Sequence, residues 1–255
     1  MSSCSCKGIR TCITCEKEGK IPFLDLQQTA WTDFSNHPNH EGDFILYPGI
    51  EIIHNFVSPD EEREITEKIY QTPFVDSQSG RRKQDYGPKV NFKRKKLKCD
   101  VFTGLPDFSH SLYKRMNDYP VLKDFIPVEQ CNLEYTQERG SAIDPHFDDF
   151  WLWGERLVTL NLLSDSVLCM TKDDSPDIEI HVPLTRRSLI VVYGPARNIW
   201  KHGIHRNDIT QTRLAITFRE LSSEFQSQGP SAKLGQDLMD IALSFKGVAV
   251  GNKAV

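Results

Sequence analysis

Between residues 129 and 220 the chain alternates apolar and polar positions in short segments: QCNLEYT, RLVTLNLL, SVLCM, IEIHVPL, SLIVVY and RLAITFRE. A period of two in segments rich in Val, Ile, Leu, Thr and Phe, with turn residues between them, predicts a run of strands. No helical pattern intervenes, so a parallel α/β sheet is disfavoured. A sandwich or jelly roll follows, mainly β with flanking helices. Upstream, EIIHNF predicts a strand over 51–56. Ser58, Pro59 and Glu61 then stand at the N-cap, N1 and N3 positions of a capping box, which starts a helix expected to reach about Tyr70. A second helix is expected near 107–117, where Leu112 and Met116 lie one turn apart, and LGQDLMDIAL reads as a third.

Composition alters this picture little. The chain has 255 residues, of which 38% are hydrophobic and 26% charged, which suits one large core with a small appendage. Five stretches are expected: a Cys-rich appendage at 1–20, a polar linker at 21–44, helices and a basic segment at 45–128, a catalytic β core at 129–222, and a C-terminal helix and tail at 223–255. No apolar run of about 18 residues is available to span a bilayer, so no membrane partner is expected. The first 20 residues lack a signal peptide's apolar stretch, so an intracellular location, cytoplasm and nucleus, is expected.

Candidate chemistry begins at IDPHFDD. His146 and Asp148 are two apart and leave a strand on the same face, so they could grip one ion. WKHGIHR supplies His202 as the third ligand, with His205 as the alternative, and Gly203 lets the backbone come close. Two histidines and a carboxylate form the facial triad suited to non-haem Fe(II). In RLAITFR, Arg213 and Arg219 are six apart and share a face with small Ala215 and Thr217, while Leu214, Ile216 and Phe218 take the other. Roughly 20 Å of strand separates the two guanidinium groups. They read either as a clamp for a short dicarboxylic acid or as solvated arginines on an edge strand.

His-x-Asp, then Trp-Lys-His-Gly-Ile, then Arg-x5-Arg, in that order and spacing, resembles the AlkB family. The resemblance implies a double-stranded β-helix, Fe(II) on His146, Asp148 and His202, and 2-oxoglutarate as cosubstrate. By position it places Arg213 on the distal carboxylate and Arg219 near the metal-side carboxylate. The family's Asn-x-Tyr is kept at Tyr135, a cosubstrate residue, but Leu133 stands where Asn is usual, which leaves Asn132 without a clear part. CSCKGIRTCITCE, QDYGPKVNFKRKKLK and ALSF further resemble the branch of the fourth AlkB homologue. That resemblance implies oxidative removal of N-methyl groups from protein lysine, with actin or actomyosin as partner and the midbody as a location. Formaldehyde, succinate and CO2 would be the products. DNA or RNA N6-methyladenine is the alternative substrate.

Two features remain. Cys4, Cys6, Cys12 and Cys15 supply four thiols within twelve residues, suited to a structural zinc ion or a redox pair. Cys99, Cys131 and Cys169 read as packing residues. Residues 81–98 carry nine basic side chains against Asp85 alone, although the whole chain has a net charge of -4. This segment is either a solvated loop or a surface for nucleic acid or acidic protein. Asp85, Tyr86, Lys93, Arg94 and Trp151 are the candidates for a substrate lid. A non-enzymatic scaffold built on the cysteines and the basic patch is the reading from another class, and the intact triad and arginine pair argue against it.

Overall fold

The computed structural model describes residues 28–31 and 49–250. In chain order its strands and α-helices are β1 (Gln28–Trp31), β2 (Ile50–Ile53), α1 (Pro59–Tyr70), β3 (Val75–Asp76), β4 (Arg82–Tyr86), β5 (Lys89–Asn91), β6 (Lys96–Lys98), α2 (Ser109–Met116), β7 (Pro127–Tyr135), β8 (Ile143–His146), β9 (Trp153–Leu162), β10 (Ser166–Lys172), β11 (Ser175–Leu184), β12 (Leu189–Val192), α3 (Gly194–Asn198), β13 (Lys201–Ile204), β14 (Arg213–Leu221) and α4 (Ala232–Ala242). A major sheet in the order β2-β12-β9-β14-β7-β4-β3 faces a minor sheet in the order β1-β11-β10-β13-β8. This is the jelly roll that the alternating pattern predicts, with antiparallel pairing except for β1 alongside β11.

Parity along each strand decides what it faces. Leu214, Ile216 and Phe218 turn outward with Val158 and Leu160 to meet Ile65 and Ile69 of α1 and Leu112 and Met116 of α2. Tyr135, Leu133 and Ala215 turn inward and pack with Met170, Ile180 and Ile204 of the minor sheet. A third cluster seats α4 on Tyr86, Leu152 and Leu221. The outward face of the major sheet also buries a continuous chain of amides. Gln84 donates to the carbonyls of Ile69 (2.8 Å) and Thr72 (2.7 Å), Asn132 donates to Gln84 (2.8 Å), Gln130 donates to Asn132 (2.9 Å), and Ser109 donates to Gln130. Each donor and acceptor in it has a partner, as burial demands.

Helix α1 begins as expected, with the Ser58 hydroxyl accepting from the Glu61 amide (3.2 Å) and Glu61 accepting from the Ser58 amide (2.8 Å). Glu61 also binds Arg115, and that hydrogen bond foremost lowers its pKa to about 2. A carboxylate with a depressed native pKa stabilises the fold above its unfolded pKa and loses that contribution as pH falls towards the native value. Glu61→Gln should therefore melt below the parent at pH 6, with the gap closing by about pH 2, as thermal unfolding scans would show.

Several expectations change. Residues 28–31, placed within a linker, form β1. Residues 82–86, placed in the basic segment, form β4 and pair with β7, because Gln84 and Tyr86 on one face are buried. The β core therefore draws strands from well before residue 129. The short strands β8 and β13 escape the pattern because they are polar and only four residues long. Cys4, Cys6, Cys12 and Cys15, with the zinc expected there, lie outside the described residues.

Candidate active site

The two strands that the pattern does not reveal carry the site. β8 and β13 pair so that His146 stands opposite His202, and their rings lie 4.4 Å apart between centroids. Gly203 permits this approach, since a Cβ there would come within 2.9 Å of the Ile143 carbonyl oxygen and the Pro145 nitrogen. Asp148 follows β8 directly, and its Oδ1 lies 3.9 Å from His146 Nε2. One donor atom from each of His146, Asp148 and His202 falls within 4.8 Å of the others. His146 Nδ1 sits 2.8 Å from the Asp144 carbonyl oxygen. That carbonyl can only accept, so it places the ring proton on Nδ1 and leaves Nε2 as a donor lone pair towards the centre.

Arg219 braces the carboxylate. Its Nε donates to Asp148 Oδ2 (2.9 Å), its Nη2 to Asp148 Oδ1 (3.1 Å), and its Nη1 to Glu129 Oε2 (2.5 Å). Burial alone would raise the Asp148 pKa, but Arg219 and the two histidines outweigh it and hold the carboxyl well below its usual range. Three of the guanidinium's five donors are thereby committed. The two arginines are thus unequal: Arg219 grips a candidate metal ligand, and Arg213 has no carboxylate partner among the described residues.

Arg213 is 2% exposed on the central strand of the major sheet, which excludes the edge-strand reading. Among the described residues no carboxylate pairs with it. Its Nε donates to Asn161 Oδ1 (2.7 Å), and its guanidinium carbon lies 4.8 Å from the centre of the Tyr135 ring. Burial draws its pKa down. Arg213, Tyr135, Leu133, Thr217, Arg219 and the triad line one cavity. A desolvated guanidinium in a cavity calls for an anion.

The sequence reading misses Asn161. It is fully buried and donates to the carbonyls of Ser164, Leu184 and Thr185 while accepting from Arg213. A lone amide inside the apolar run RLVTLNLL was the signal for it. Arg197 of α3 is likewise missed: it is 2% exposed, lies 4.1 Å over the Phe150 ring, and keeps Nη1 without a hydrogen bond.

Other candidates fall elsewhere. His205 is three residues from His202, so it takes the opposite face and is not a triad ligand; its Nε2 meets Glu179. Asn132 faces away from the cavity into the amide chain, whereas Leu133 lines the cavity. Tyr86 is 3% exposed under α4 and cannot form a lid. Trp151 packs edge-on against Phe225, whereas Trp153, buried in the same cluster, also reaches the site, its ring centre 5.8 Å from the Arg219 guanidinium carbon. Lys93 and Arg94 are exposed at the turn between β5 and β6. Asp85 lies opposite Cys131, accepting from its thiol and from Lys83.

A jelly roll that gathers two imidazoles, one carboxylate and a buried, unpaired arginine in one cavity has the equipment of an oxygenase using a non-haem metal and a dicarboxylic cosubstrate. Comparison with known proteins agrees, although no family model matches the chain. It is 46% identical over 288 aligned residues to the alpha-ketoglutarate-dependent dioxygenase alkB homolog 4 of Homo sapiens, covering 97% of this chain and 95% of that protein. The Mus musculus protein of the same name is 45% identical at 97% and 96% coverage. A DNA N6-methyl adenine demethylase of Caenorhabditis elegans is 35% identical over 262 residues, covering 89% of each chain. The chain belongs to the AlkB family of alpha-ketoglutarate-dependent dioxygenases. Fe(II) and 2-oxoglutarate are accordingly its cofactors, and the donors described here fit both.

Proposed function

We propose that the chain is an oxidative N-demethylase acting on methylated lysine in an acidic protein, with actin the partner suggested by resemblance. In this reading His146, Asp148 and His202 hold Fe(II), and Arg213 with Tyr135 receives the distal carboxylate of 2-oxoglutarate. Iron and 2-oxoglutarate, when bound, would let O2 hydroxylate an N-methyl carbon, one oxygen atom leaving in succinate as CO2 is released and the other in the hydroxymethyl amine that frees formaldehyde. The chain's own residues supply placement. Asp144 fixes the His146 tautomer, Arg219 sets the plane of the Asp148 carboxylate, and Asn161 aims Arg213 into the cavity. The apolar wall of Leu133, Leu157 and Val192 keeps water from the reacting groups.

The observation that carries the substrate reading is the charge beside the triad. Strand register puts Asp85 and Glu129 on the same face of the major sheet as Arg219, which grips Asp148. With Asp148 taken up by the metal in this reading, Asp85 and Glu129 remain beside it, held by Lys83 and Arg219. These carboxylates can accept from an ammonium head, whereas a phosphodiester has no proton to donate to them. Further out, Lys89, Lys93, Arg94, Lys95, Lys96 and Lys98 of the β5-β6 hairpin are exposed, a surface fitted to an acidic partner.

The second reading, a nucleic-acid N6-methyladenine demethylase, draws on the same hairpin, on Phe92 at 44% exposure as a stacking surface, and on the activity for which the C. elegans relative is named. Formaldehyde release from a methyl-lysine actin peptide and from an N6-methyladenine oligonucleotide, measured side by side, separates the two. Turnover of the peptide should exceed that of the oligonucleotide about tenfold or more, a difference of about 1.4 kcal/mol in barrier. The reverse ranking would establish the second reading.

A further inference from the structure

The outer face of the minor sheet carries a second group of metal-binding side chains. Met170, Ile180 and His202 turn to the inside of the jelly roll, so their neighbours Cys169, Glu179 and His181 turn out. Cys169 stands opposite His181 on one side and Gly203 on the other, and His205 comes in just beyond the end of β13. One donor atom each from Cys169, Glu179 and His205 lies within 4.8 Å of the others. Although they occupy the outer face, Cys169 is 0% and Glu179 2% exposed.

The contacts within this group are those of a site short of a cation. His205 Nε2 lies 2.8 and 2.9 Å from the two Glu179 oxygens, and one N–H cannot align with both. His181 Nε2 lies 2.5 Å from Glu179 Oε1. The Cys169 sulfur makes a long contact of 3.8 Å to Asp208 Oδ2 and meets the backbone of His205. The sequence reading of Cys169 as a packing residue therefore gives way: it stands among two carboxylates and two imidazoles, and burial first, then these carboxylates, push its thiol well up. A proton on His205 or His181 balances part of the carboxylate charge, and a divalent ion would balance more while drawing the sulfur in as thiolate.

We propose that Cys169, Glu179 and His205, with His181 beside them as a fourth donor, form a second metal site that takes a borderline-soft divalent ion, zinc foremost. One sulfur, imidazole nitrogens and one carboxylate oxygen suit tetrahedral zinc, whereas the triad, with nitrogen and oxygen alone, suits iron. Binding displaces the Sγ proton of Cys169 and the Nε2 protons that His205 and His181 hold towards Glu179, so up to three protons leave for each ion that enters. The site would tie β10, β11 and the end of β13 together behind His202. Its role is thus structural and separate from the triad.

Cobalt(II) tests this directly, because a thiolate ligand gives it a near-ultraviolet charge-transfer band that nitrogen and oxygen ligands do not. The full-length chain carrying Cys4→Ser, Cys6→Ser, Cys12→Ser and Cys15→Ser is titrated with Co2+. The expected result is a thiolate band that saturates with an amplitude of one thiolate-bound ion per chain, beside the ion the triad takes, and that is abolished by the further change Cys169→Ser. His205→Ala keeps the thiol and removes one ligand from a partly exposed position, so it should weaken cobalt affinity by about tenfold or more while the fold, followed by circular dichroism, persists. No thiolate band in the parent, or a band that survives Cys169→Ser, would overturn the proposal and leave Glu179 held by protonated imidazoles alone.

Discussion

Asp148→Ala should yield a folded chain that neither retains iron nor forms succinate. The substitution removes one of three donors and at the same time strips Arg219 of the partner that takes two of its three observed hydrogen bonds. Losing an outer partner of a metal ligand typically costs 10- to 100-fold in affinity or activity, so losing the ligand itself should cost more than about a hundredfold. Arg219→Ala provides the graded comparison: the carboxylate remains but loses its orientation, and iron affinity should fall by about 10- to 100-fold rather than vanish. Iron content after desalting and succinate yield, measured on the same samples, check both. Full turnover by Asp148→Ala would remove the triad from consideration.

For 2-oxoglutarate the largest effect is expected at Arg213. Breaking a buried ion pair from one side costs roughly 3 kcal/mol or more, which is about a hundredfold in affinity. The apparent 2-oxoglutarate constant should rise by that factor in Arg213→Ala. Arg213→Lys should recover only part of it, since Lys lacks the planar fork and cannot also reach Asn161 with a fixed Nε. Asn161→Ala should give a smaller rise, about tenfold, because it leaves the Nε–H buried without an acceptor. Iron content should survive in all three, because none of these residues contacts the triad. Calorimetric titration of the iron-loaded protein would measure the change, and parental affinity in both Arg213 variants would refute the assignment.

What could be read from the sequence was what repeats. The two-residue period of RLAITFR places Arg213 and Arg219 on one face, and the burial of Leu214, Ile216 and Phe218 on the other follows from the same period. The capping box at Ser58 was equally legible because it is local. The short strands β8 and β13 were not, since four residues that include a charged side chain, a histidine and a Pro or Gly leave no apolar alternation to detect. The unequal work of the arginines was hidden as well: nothing in Arg-x5-Arg says that Asp148, 71 positions away, takes up one guanidinium and leaves the other for a ligand. Trp151 and Tyr86 mislead for a related reason. An aromatic near a site in sequence goes wherever apolar surface is available, and here that surface belongs to the C-terminal cluster.

The buried amides running from Gln84 through Asn132 and Gln130 to Ser109 have a consequence for how this chain can vary over time. Gln84, Asn132 and Gln130 each give and receive and Ser109 gives, so altering one strands its neighbour, and a second alteration nearby can cost less than the first. These positions are free to change as a set and constrained one at a time. Sequences descended from a common ancestor should therefore carry either the whole chain of amides or a fully apolar replacement, with few intermediates between them.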